Sequence, residues 1–208
     1  MLARTVFAPL VFLAATAGAS AHYPMGRVTP QTLWHGLLSG FGHPVIGLDH
    51  LAFVVAMGLL AAPLARGALM PLAFLAAGAV GSALHVRGVD LPFAEAAVAL
   101  SVLALGLLIL TRPNVSTPAL AGLFAAAGLF HGHTLAESIV GAQPAPLAAY
   151  FVGLVTVQYA IALAALLVAR GLATQRPALA RPAFLGAGAV VALTGLAFLV
   201  APTLAYVR

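Results

Sequence analysis

Residues 42–50 read Gly-His-Pro-Val-Ile-Gly-Leu-Asp-His and place two imidazoles and a carboxylate, His43, Asp49 and His50, at the head of an apolar run through Leu51, Phe53, Val54 and Met57. Ionisable side chains at membrane depth are costly, and where they persist they serve a function. Imidazole and carboxylate in a chain without cysteine suit Ni²⁺, Co²⁺, Zn²⁺ or Fe²⁺ better than Cu⁺. The lack of cysteine also removes disulfides, thiolate sites and Cys nucleophiles. Further along stand Glu95 and the group His131, His133 and Glu137. On a helix His133 and Glu137, four residues apart, share a face and can hold one ion. Asp49 and His50 point about 100° apart, and His43 sits two turns, about 10 Å, from His50. A regular helix therefore cannot bring all three onto one ion. Either the Pro44–Gly47 stretch is distorted, or the motif forms two successive stations on an entry path.

The elements that position these residues are membrane spans. The chain is 63% hydrophobic and 6% charged, with mean hydropathy +1.11, against the one-quarter charged content usual in soluble domains. Residues 1–21 read as a cleavable leader: Arg4, an apolar stretch over 6–15, then Ala19-Ser20-Ala21 before His22. Cleavage leaves residues 22–208 as a single membrane domain with its N-terminus outside the cytoplasm. The expected architecture is all-α: a short helical or re-entrant piece at 31–41, a break at His43-Pro44, and six spans at 44–62, 67–85, 91–111, 118–139, 147–169 and 183–206. Arg66, Arg112, Arg170, Arg176 and Arg181 then fall on inner loops, against Arg27, Arg87 and Arg208 outside, in the positive-inside sense. The arginines stand singly, with none of the basic runs that nucleic-acid binding requires.

This map brings the polar residues to one depth. His43, Asp49 and His50 open the first span, Glu95 lies a turn into the third, and His131, His133 and Glu137 close the fourth, all towards the outer face. His85, at the outer end of the second span, is as readily a loop residue as a ligand. His35, beside Trp34, reads as interfacial, and Asp90 as the cap of the next helix. Ser101, Gln158 and Tyr159 read as interhelical hydrogen-bonding groups. The six-residue spacing shared by His43/Asp49 and His131/Glu137 suggests an inverted repeat, but both motifs fall towards the same face, so it is treated as coincidence.

The pattern His43-Pro44-x-x-Gly47-x-Asp49-His50 resembles the HPxxGxDH signature of the HupE/UreJ family of bacterial membrane proteins, in all five fixed letters. His131-Gly132 with Glu137 is similar to the family's fourth-span motif, and Glu95 to an acidic position of its third span. The resemblance implies a secondary permease for nickel, with cobalt or another divalent metal as variation, serving hydrogenase or urease maturation. One departure touches the ligands: family members carry a second histidine shortly before the glutamate, where this chain has Leu135 or Ala136, and His133 instead follows the glycine.

The expectation is an inner-membrane importer of a divalent transition metal, not an enzyme and without a prosthetic group. Its metal ligands are His43, Asp49, His50, Glu95, His131, His133 and Glu137. Its partners are the ion, the bilayer and a cytoplasmic metallochaperone or maturation system. No nucleotide-binding G-x-x-x-x-G-K-[ST] is present, so energy comes from a gradient or a partner. The rivals are an intramembrane zinc hydrolase, with Asp49 or Glu137 as base, and a metal-sensing accessory subunit.

Overall fold

The computed structural model describes residues 29–111 and 114–206. The leader, its cleavage site and His22 lie outside the described residues. Among the described residues seven α-helices run in order: α1 (Leu33–Ile46), α2 (Leu48–Ala61), α3 (Met70–Val86), α4 (Ala94–Thr111), α5 (Thr117–Leu135), α6 (Pro144–Gln175) and α7 (Pro177–Tyr206), with 3₁₀ turns at Gly67–Leu69 and Ala136–Ile139. The described residues form an all-helical membrane protein, with five helices long and apolar enough to cross a bilayer.

The helix starts follow local chemistry. Thr32 caps α1 by accepting from the His35 N–H, and Ser116 caps α5 by accepting from Ala119 N–H, with Pro118 in the first turn. The break between α1 and α2 falls at Gly47 rather than at His43-Pro44, and the two arms meet at 79°. Proline removes the donor to the carbonyl four residues back, so it disturbs the turn before it and leaves the turn after it able to form. Helix α1 accordingly carries Pro44 within its last turn, and Gly47 N–H still bonds to the His43 carbonyl. The chain departs at Gly47, where ψ swings to 99° and the same residue becomes the cap of α2.

Each arm has 14 residues, about 21 Å of helix, too short to cross roughly 30 Å of hydrocarbon alone. Together they follow one long neighbour. Gly36 and Gly40 of α1 meet the α6 backbone at Pro146 and Tyr150, and Gly58 of α2 meets Ala162. At the far end the Arg170 guanidinium donates to the carbonyls of Ala62 (2.8 Å) and Leu64 (2.7 Å). Positions rise together on both sides, so the bent pair runs parallel to α6.

Two further close pairs complete the bundle. Helices α3 and α5 run parallel, Gly128 against Phe74 and Gly132 against Gly78. Helices α4 and α7 run antiparallel, Gly106 against Ala192 and Gly195 against Leu103. A Cβ on Gly132 would fall on the Gly78 carbonyl; this is the backbone approach that small residues permit where helices cannot rely on a hydrophobic driving force. The core between the pairs holds Phe53, Met57, Phe74, Leu105 and Phe124, all fully buried.

Candidate metal site

The bend at Gly47 folds the motif back on itself. His43, Asp49 and His50 are all buried, and the His43 and His50 rings stand edge to face with centroids 6.3 Å apart. Distortion, not a straight helix, thus brings together what the spacing kept apart. Helix α5 adds His131, fully buried, whose Nδ1 lies 2.8 Å from His50 Nδ1. Two imidazoles bound to one ion at about 2.1 Å hold their ligand nitrogens about 3.0–3.4 Å apart. The hydrogen-bonded His50–His131 pair, at 2.8 Å, needs to open by only a few tenths of an ångström to reach that separation.

Neighbouring hydroxyls fix which nitrogen carries the proton. Ser101 on α4 donates to the Val98 carbonyl (2.7 Å), so its oxygen is left to accept from His131 Nε2 at 2.9 Å. That places the His131 proton on Nε2 and the lone pair on Nδ1, facing His50. Tyr150 on α6 donates to the Leu135 carbonyl, so its oxygen accepts from His43 Nδ1 at 2.9 Å, with Ser138 Oγ at 3.0 Å from the same nitrogen. The His43 lone pair is then on Nε2. Such outer partners set tautomer and orientation in metal-binding histidines.

Asp49 lies in the first turn of α2, and its Oδ1 accepts from the His50 N–H at 2.9 Å. The N-terminus of α2 favours the carboxylate and the C-terminus of α1 favours a cation, since the broken helix leaves both dipole ends at the site. Beneath it the His131 ring rests on Phe53 (4.4 Å between centroids) and Phe74 (5.4 Å), with Phe53 stacked on Phe74 at 5.0 Å. This aromatic floor separates the site from the Arg170 end of the bundle.

The seven residues expected to act together do not all meet. The rings of His43, His50 and His131 gather, with Asp49 buried beside them and its Oδ1 on the His50 N–H. Residues two apart on a helix point about 200° from one another, so His133 leaves the chamber and pairs instead with His85, Nε2 to Nδ1 at 3.1 Å. Helix α5 tightens into a 3₁₀ turn at Ala136, which takes Glu137 off the face of His133; Glu137 is exposed, while Ser138 turns inward to His43. Glu95 is exposed on the first turn of α4. Asp90 does not cap α4, which begins four residues later, and lies within 4.8 Å of His85 and His133. His35 is exposed, as an interfacial residue should be. Sequence reasoning placed Ser101 as an interhelical hydrogen-bonding group, and it fills that role against His131. It missed Tyr150 and Ser138, which lie 107 and 95 residues from His43 and carry no local signal.

Fold and site define a helical membrane protein with a buried cluster of imidazoles and a carboxylate on a broken helix. The family model for HupE / UreJ protein matches residues 10–198, and the chain belongs to that family. A curated relative, Protein HupE of Rhizobium leguminosarum bv. viciae, is 41% identical over 100 residues, covering 47% of this chain and 52% of the relative, so the match spans about half of each. No solved structure matches.

Proposed function

We propose that the chain is a six-span secondary transporter that imports a divalent transition metal, nickel first and cobalt next, across the bacterial inner membrane. The bent α1–α2 pair counts as one crossing in this reading. Its parallel course beside α6, with α3 parallel to α5 and α4 antiparallel to α7, suits six alternating spans. The observation that carries the reading is the convergence of His50 and His131 through Nδ1 at 2.8 Å, with the His131 lone pair turned inward by Ser101.

His43, Asp49, His50 and His131 receive the ion from the periplasmic side as neutral imidazoles and an ionised carboxylate. The ion takes the place of the proton otherwise held between the two Nδ1 atoms. Tyr150, Ser138 and Ser101 hold the rings in register. Phe53, Phe74 and Phe124 block passage inward, so release requires this floor to part, and delivery is to a cytoplasmic metallochaperone or maturation system. A leader over 1–21 sets the mature N-terminus in the periplasm, and Glu95, His133 and Glu137 serve nearer the surface.

The test is metal accumulation in proteoliposomes, with Ni²⁺, Co²⁺, Zn²⁺ and Fe²⁺ in competition. Wild type should load Ni²⁺ or Co²⁺ well above a His50→Ala control. Protein that binds the ion yet accumulates no more than that control is an accessory subunit, and the transport reading fails.

A further inference from the structure

His85, Asp90 and His133 each offer a ligand atom, and these atoms lie within 4.8 Å of one another. The group closes the outer ends of α3 and α5 over the loop that leads to α4. His133 is buried, His85 half-buried and Asp90 exposed, so the cluster opens to solution where the His43–His131 chamber does not. The Val89 carbonyl adds a fourth candidate ligand, 3.1 Å from His133 Nε2.

The hydrogen bonding around His133 does not close. Its Nε2 faces the Leu91 N–H, the Val89 carbonyl and His85 Nδ1, all at 3.1 Å. With the proton on Nδ1, Nε2 accepts from Leu91 but the carbonyl is left facing a lone pair. With the proton on Nε2, the carbonyl is served and Leu91 N–H faces a donor. Nδ1, on the far side of the ring, is buried without a hydrogen-bond partner among the described residues in both tautomers, which a ligand at Nε2 does not change. Two imidazoles, a carboxylate and a carbonyl around one point outnumber the single Leu91 N–H among them, and a cation takes up the remaining lone pairs. Two nitrogens with oxygen ligands suit borderline divalent ions such as Co²⁺, Ni²⁺ and Zn²⁺.

We infer that His85, Asp90 and His133 form a second divalent-metal site, at the outer mouth, which captures the ion before it reaches the buried chamber. His131 and His133, either side of Gly132, then serve two stations from one turn of α5. The capture role rests on the transport reading; the binding site does not.

The experiment is Co²⁺ titration of the purified full chain in detergent, followed by visible absorption, with uptake measured in parallel in proteoliposomes. The comparison is wild type against a His85→Ala, Asp90→Asn double variant, whose changes lie at the exposed end and leave the core intact. Wild type should bind about two ions per chain, and the double variant about one, with an unchanged melting temperature. Uptake by the variant should show KM raised about tenfold at an unchanged maximal rate. Equal stoichiometry in the two proteins overturns the site. Loss of one ion with unaltered KM overturns the capture role. A wild type that binds two ions and moves none defeats the transport reading and leaves the outer site standing.

Discussion

Removing the Tyr150 hydroxyl tests whether the chamber is a preorganised ligand set. Tyr150 is fully buried and joins three elements: it donates to the Leu135 carbonyl at the end of α5 and accepts from His43 on α1. Tyr150→Phe keeps the ring and its packing and deletes both bonds. A buried carbonyl left without its donor costs about 1–3 kcal/mol of stability. Loss of an outer partner from a metal-binding histidine typically lowers affinity 10- to 100-fold. Ser138 still reaches His43 Nδ1 at 3.0 Å, so the single variant should sit at the lower limit, about tenfold or about 1.4 kcal/mol. The Tyr150→Phe, Ser138→Ala pair should approach a hundredfold. The control is Tyr159→Phe, which removes a hydroxyl that donates to the Ala68 carbonyl at 3.3 Å, away from His43, and should leave affinity unchanged. Affinity is read by competing Ni²⁺ against Co²⁺ on the purified chain. If Tyr150→Phe binds within twofold of wild type while folded, the tautomer argument for His43 is wrong.

Three further outcomes follow from the packing and the ligand chemistry. Phe53→Ala, at a fully buried position touching Phe74, Phe124 and His131, should cost about 3–5 kcal/mol and raise passive metal leak into sealed liposomes. Gly132→Ala places a methyl against the Gly78 backbone and should lower stability by about 1–3 kcal/mol or more. Gly122→Ala, with open space at that position, should raise stability by about 0.5–1 kcal/mol. Thermal unfolding in one detergent compares the two, and equal shifts would refute the close-packing account. Binding needs neutral imidazole, so affinity should be highest at neutral and alkaline pH and fall on acidification, as protons compete with the ion for the ring nitrogens. A Co²⁺ titration from pH 8 to 5 that stays flat would remove the histidines from the ligand set.

The last five spans were legible in the sequence because apolar length and punctuation mark them out; the first, expected at 44–62, is instead the later arm of a bent pair. Helix geometry alone left two readings of His43 and His50, a distorted segment or two stations, and the bend at Gly47 is the distortion. Its position was not legible, since a proline marks the turn it weakens and not where the chain finally departs; the departure came three residues later, at Gly47. His133 and Glu137 shared a face only if α5 stayed α-helical to its end. The 3₁₀ turn at Ala136–Ile139 turned Glu137 outward and Ser138 inward. The pairing of His133 with His85 and Asp90 depends on how a loop folds between two helices, which periodicity does not encode.

The glycine contacts also say which parts of the bundle can shift. Backbone meets backbone within three units, α1–α2 with α6, α3 with α5, and α4 with α7, and such seams do not slide without collision. Between units the contacts are side chains such as Phe53 on Phe74, which can exchange rotamers. The His50–His131 approach crosses the boundary between the first unit and the second, and His131–Ser101 that between the second and the third. An ion held at His50 and His131 is therefore a clasp between bodies. Under the proposed import, its arrival and departure act directly on how those bodies lie against one another.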